Sequence, residues 1–181
     1  MGSVTIKGLS STISELRKFG EKAEKLINAE TQSTAFNIEE DAKKRAPKNF
    51  GKLAQSISTS QPISDKNKSI ISRVITVNEL YGAYMEFGTG KKFKPHPDPE
   101  WNNIAKSFKG KKSGTFEQGL EAIKVWCKSK GIPEEDAKWI FLKILGAGIN
   151  PRPFLYPAYI KGKKDYQNNL ERLLKSLNKK I

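Results

Sequence analysis

The sequence predicts an α+β fold: a small antiparallel sheet packed against a long N-terminal helix and a C-terminal helix, with an inserted loop and helical hairpin. Ala23, Ile27, Thr31, Ala35, Ile38, Ala42 and Ala46 recur at steps of three or four, which places one apolar stripe on a helix. Ile70, Ile71, Val74, Ile75, Thr76 and Val77 form a β-branched run of the kind that suits a pleated sheet. Tyr166, Leu170, Leu173, Leu174, Leu177 and Ile181 mark one face of a last helix, with Lys and Glu on the other. A chain of 181 residues is long enough for one domain with a real core, so residues 1–181 are expected to form a single domain with 91–150 inserted within it.

In chain order, residues 4–7 suggest a short edge strand. Thr12 with Glu15 three residues on is a capping-box pattern, predicting a short helix over 13–19 that Gly20 ends. The striped helix then runs from Glu21 to Arg45 and stops at Pro47. Its residues are small, so it can lie close against a neighbour. Two extended runs, 56–63 and 69–77, flank the polar stretch Ser64-Asp65-Lys66-Asn67-Lys68, which suits a hairpin loop. Tyr81-Gly82-Ala83-Tyr84-Met85-Glu86-Phe87 is dense in aromatic and apolar residues and is expected to add a further strand, left sharply at Gly88-Thr89-Gly90.

From residue 91 to 114 the composition turns to a long loop, with Pro95, Pro97 and Pro99 around His96 and a basic tip at Lys109, Lys111 and Lys112. Residues 115–148 predict a helical hairpin. Thr115 and Gln118 open it as a capping box, Gly131 divides it, and Pro133 with Glu134, Glu135 and Asp136 starts its second arm. Residues 150–158 are extended and proline-punctuated, and the last helix covers about 164–178.

The formal net charge of +14 is compatible with DNA, with an acidic protein neighbour, or with lysines dispersed over solvated faces. No run is long and apolar enough to span a bilayer, and the first residues carry no basic start followed by an apolar run, so neither a membrane nor a secretory role is expected. One cysteine and one histidine exclude an internal disulfide and an ordinary zinc site, and fit synthesis in a reducing cytoplasm. No cofactor is expected. Gly88-Thr89-Gly90-Lys91 is not a phosphate loop, because Met85 stands where the first glycine belongs and Lys92 where the Ser or Thr belongs. His96 is expected in solvent and Cys127 in the core, so no nucleophile has a base beside it and no enzyme is expected. The second arm of the hairpin carries Trp139, Ile140, Phe141, Leu142, Ile144 and Leu145, a face built for burial rather than for reading base edges.

A carboxylate at Glu86, between Met85 and Phe87, is costly unless cations or donors satisfy it. Arg152, fixed between Pro151 and Pro153, is the expected partner in a structural ion pair, with Phe154 and Tyr156 packing beside it.

These stretches together resemble the bacteriophage tail-component family of long-tailed phages, the head–tail joining, neck or tail-completion proteins. The resemblance rests on Gly8-Leu9, Ala46-Pro47, Gly51-Lys52-Leu53 and Ser56-Ile57. It continues with Tyr81 and Tyr84-Met85-Glu86-Phe87-Gly88-Thr89-Gly90, and ends with Pro151-Arg152-Pro153-Phe154-Leu155-Tyr156-Pro157-Ala158 before a C-terminal helix. Lys48-Asn49-Phe50 departs from the family pattern, and the link over 91–150 is longer than usual. The resemblance implies a structural virion part at the head–tail junction, made in the host bacterial cytoplasm and assembling as a ring around the DNA channel. Its partners would be further copies, portal-side connector proteins, and tail-tube or tail-terminator proteins, with non-specific contact to packaged DNA. The exposed face around Trp139, Phe141 and Leu142 and the basic loop tip are the expected subunit contacts. The competing expectation is a basic nucleic-acid-binding protein of phage origin.

Overall fold

A computed structural model describes residues 9–48, 51–65, 70–79, 81–110 and 114–178. Helix α1 spans Leu9–Arg45 and α2 spans Lys52–Gln55. Four short strands follow: β1 (Ile57–Thr59), β2 (Ile63–Asp65), β3 (Ile70–Ser72) and β4 (Ile75–Val77). Next come α3 (Tyr81–Phe87), a 3₁₀ turn at Gly90–Lys92 and α4 (Pro99–Phe108). The chain closes with α5 (Phe116–Ser129), a 3₁₀ turn at Glu134–Asp136, α6 (Ala137–Ala147) and α7 (Leu155–Asn178). The class is α+β, as the sequence predicts, with more helix and less sheet. The edge strand expected over 4–7 lies outside the described residues.

Contacts divide the chain into two compact units. One comprises residues 1–40, 59–75 and 159–181. Its centre is the pairing of α1 with the later part of α7. Ile38 meets Gly162, Thr31 Oγ1 lies 2.9 Å from Tyr166 Oη, and Asn169 Nδ2 donates to Glu30 Oε1 at 2.8 Å, so the two helices run antiparallel. The thin stripe of α1 permits this close approach, with Ala35 and Ile38 buried on it. In the same unit β2 and β3 pair antiparallel, Ile63 opposite Ser72.

The other unit comprises residues 41–58 and 76–158, so all of residues 91–150 lie within it. Leu53, Ile57 and Phe154 are fully enclosed there, with Ala42, Ala46 and Phe87 also buried. The Cβ that Gly82 lacks would meet Leu53 and Val77, so a glycine lets α3 lie against both.

Four sequence expectations are corrected. Gly20 does not end a helix; α1 runs through it, because one exposed glycine costs a helix only about 1 kcal/mol. Tyr81–Phe87 is a helix and not a strand: Gly82, Glu86 and Phe87 are its buried residues, a spacing that one helix face provides and alternating strand faces do not. The sheet is therefore two separate two-stranded ladders, β1–β4 and β2–β3. Ser60 N donates to Val74 O, whereas Ile63 faces Ser72, so three steps on one strand oppose two on the other. Pro62, which has no N–H to give a ladder, sits in that extra step. Finally, the long loop contains α4, with Asp98 as its N-cap and Pro99 in its first turn, and α7 starts at Leu155, well before the expected point.

Candidate functional site

Glu86 occupies the last turn of α3 and is only 7% exposed. Its Oε2 accepts hydrogen bonds from the backbone N–H of Phe154 (2.8 Å) and Leu155 (3.0 Å), and Oε1 accepts one from Tyr156 (2.9 Å). These are the first N–H groups of α7. A helix start leaves four such donors without partners inside the helix. Here Phe154, Leu155 and Tyr156 give theirs to Glu86, and the fourth position is Pro157, which has none. No Ser, Thr, Asp or Asn precedes α7 to cap it locally, so a carboxylate from far upstream does so. Its negative charge also complements the positive end of the helix.

The expected ion pair to Arg152 is thus replaced. The guanidinium side is exposed, and Arg152 joins α3 through its backbone, whose N–H donates to Met85 O at 2.6 Å. The expected meeting of the two stretches occurs, but backbone donors satisfy the charge because they converge on it without the desolvation cost of burying a second ion.

The Gly88-Thr89-Gly90 exit is pinned to residues 148–149. Thr89 N donates to Ile149 O (3.1 Å), and Ile149 N donates back to Thr89 Oγ1 (2.8 Å). Gly88 has φ 76°, and a Cβ there would come within 3.0 Å of the carbonyls of Lys92 and Ile149, so only glycine fits. Gly148, at φ 81°, lies closer still against the Thr89 carbonyl.

Around this junction lies an aromatic cluster that sequence reasoning missed. His96 sits edge-on to Tyr156 with centroids 4.0 Å apart, Trp101 lies 5.1 Å from Tyr156, and Phe87 lies 6.2 Å from Trp101. His96 is consequently not a solvated loop residue. It is half-buried, its Nδ1 accepts from Asp98 N, and its own N–H donates to Asn102 Oδ1. The available signal was Asp98-Pro99-Glu100, an N-cap, first-turn proline and acidic first turn inside the supposed loop.

An apolar groove of about 510 Å³ opens beside the junction, lined by Phe87, Phe93, Phe108, Phe116, Phe141 and Ile144 among others. Phe141 packs edge-on against Phe116 (5.1 Å) and faces this groove. Of the expected subunit contacts, Trp139 is 74% exposed and Leu142 39% exposed, whereas Phe141 is half-buried. Lys109 is exposed, with its Nζ 5.3 Å over the Phe93 ring; Lys111 and Lys112 lie outside the described residues. The signature residues Pro47, Gly51, Leu53, Tyr81, Tyr84 and Pro157 all belong to this unit, Leu53 at its core. Among the described residues no His, Cys, Asp and Glu cluster could hold a metal ion, and no helix is long and apolar enough to cross a membrane. Cys127 is a buried free thiol.

Residues 10–88 match the model of a family described as "Bacteriophage HK97-gp10, putative tail-component". The match ends two residues after Glu86, so the capping carboxylate lies inside the matched segment and the backbone donors at 154–156 lie beyond it. No curated protein and no solved structure matches the chain.

Proposed function

Because residues 10–88 match the model of that family of phage tail components, we propose that the chain is a neck or tail-completion protein, a structural part that joins the portal side of the capsid to the tail. Copies form a closed ring around the DNA channel, touching connector proteins on one side and tail-tube or tail-terminator proteins on the other. The observation that carries this reading is the family match, and the exposed apolar side chains of the helical hairpin support it. Trp139, Leu142 and Leu145 are solvent-facing in the single chain, as residues awaiting a neighbour are. Electron microscopy of the purified protein, alone and mixed with portal and tail-tube proteins, tests it. Rings, or rings added to a partner, are expected; particles that neither form nor join rings in any mixture would sink it.

The +14 charge favours a second reading, a protein whose main partner is nucleic acid. The two separate on salt. Binding through many phosphate contacts falls roughly a thousandfold or more between low and moderate salt. Ring assembly anchored on apolar side chains falls far less.

A further inference from the structure

We propose that copies of this chain join head to tail through the hairpin of α5 and α6, with Trp139 of one copy seated in the apolar groove of the next. This rests on the ring reading and names its contact. At 74% exposure, Trp139 leaves most of an indole in water, and such aromatics are the usual anchors of protein interfaces. Leu142, three residues on, widens the knob. The receiving groove lies on the other side of the same helix. At about 100° per residue, Phe141, which lines the groove, stands roughly 200° round α6 from Trp139. The knob therefore faces away from its own groove. Two unlike patches on opposite sides of one rigid helix are what a head-to-tail contact requires. A groove of about 510 Å³ is of the size that accepts an anchoring group.

Charge selects a second copy as the occupant. Glu134, Glu135 and Asp136 form an exposed acidic turn directly before α6, an exception in a chain of net charge +14. Lys124 reaches Glu134 at 3.3 Å, and the turn remains acidic in sum. The groove has a basic rim. Lys109 lines it, and Lys91 and Lys92 follow the groove-lining Gly90; all three lysines are exposed. Exposed Lys138 and Lys143 flank Trp139 on α6, so the negative charge is confined to the turn; that turn and the groove rim carry opposite charges, which orients the encounter and fixes its register. A small apolar ligand would account for the groove but not for the acidic turn, and DNA would be repelled by that turn.

Sedimentation velocity on the full chain over a concentration series is the test. The wild type is expected to self-associate. Trp139→Ala, at a site exposed enough to leave the fold unchanged by circular dichroism, should weaken association at least about thirtyfold. The double reversal Glu135→Lys with Asp136→Lys, and separately the triple reversal Lys91→Glu, Lys92→Glu and Lys109→Glu, should each weaken it about tenfold. Mixing those two variants should restore assembly. A wild-type turn then meets a wild-type rim at one contact, and a reversed turn meets a reversed rim at the next. Undiminished association of Trp139→Ala, or a mixture that fails to recover, overturns this contact while rings seen by microscopy keep the broader reading. A wild type that stays monomeric throughout the series also overturns it, and the mixtures with portal and tail-tube proteins decide the ring separately.

Discussion

Glu86 puts three backbone donors and one carboxylate in a single contact. Removing it leaves one buried and two part-buried donors without this partner, at about 1–3 kcal/mol for a fully buried one and less for the others. Glu86→Ala is therefore expected to destabilise the fold by about 3 kcal/mol or more. Glu86→Gln keeps one acceptor oxygen and loses the charge, at about 2 kcal/mol. Arg152→Ala, at an exposed side chain whose link to α3 runs through its backbone, should cost under about 0.5 kcal/mol. Urea melts of the three variants check the order; an Arg152 variant as damaged as the Glu86 ones would restore the ion pair to the central role. Tyr81 offers a pH test. Burial first, and then the Glu79 carboxylate, raise its phenol above the ordinary 10.0, with a hydrogen bond to the Leu53 backbone acting the other way. A raised folded value means this contribution is whole below about pH 10 and is lost as pH climbs through the folded pKa. Tyr81→Phe should flatten the alkaline fall in melting temperature, and an unchanged slope would remove Tyr81 from the account.

At the scale of elements, two helical glycines make opposite predictions. Gly20, with nothing near its missing Cβ, should gain about 1 kcal/mol on mutation to Ala. Gly162 has the same intrinsic preference for Ala, but its Cβ would strike Ile38 on α1. Overpacking of about 1–3 kcal/mol outweighs that gain, so Gly162→Ala should lower the melting temperature. Equal effects would mean that α1 and α7 are not in close contact. The same elements show what was legible. The α1 stripe, the Thr115–Gln118 capping box and the helical hairpin follow local periodicity and cap chemistry, and the structure has them where the sequence places them. Tyr81–Phe87 was not legible as a helix, because its aromatic density suits a strand and its burial spacing depends on distant partners. The start of α7 was hidden for a related reason. Its cap is Glu86, some seventy positions upstream, and no local rule looks that far.

For the whole molecule, the charge and the exposed apolar residues make separate demands. The net +14 predicts weak attraction to DNA at low salt, whereas the assembly predicted from Trp139 and Leu142 should persist at moderate salt. Measuring both in one salt series, by DNA gel shift and by sedimentation, separates them: assembly that dissolves in step with DNA release would make nucleic acid the organiser. One further consequence concerns Thr89 and Ile149, which bond to each other in both directions at the two ends of residues 91–150. The doorway is closed on itself, so the cassette behind it can change size at an entropic cost of only about 0.6 kcal/mol per doubling. Residues 91–150 can therefore change length at their far end while the clasp at their base stays the same.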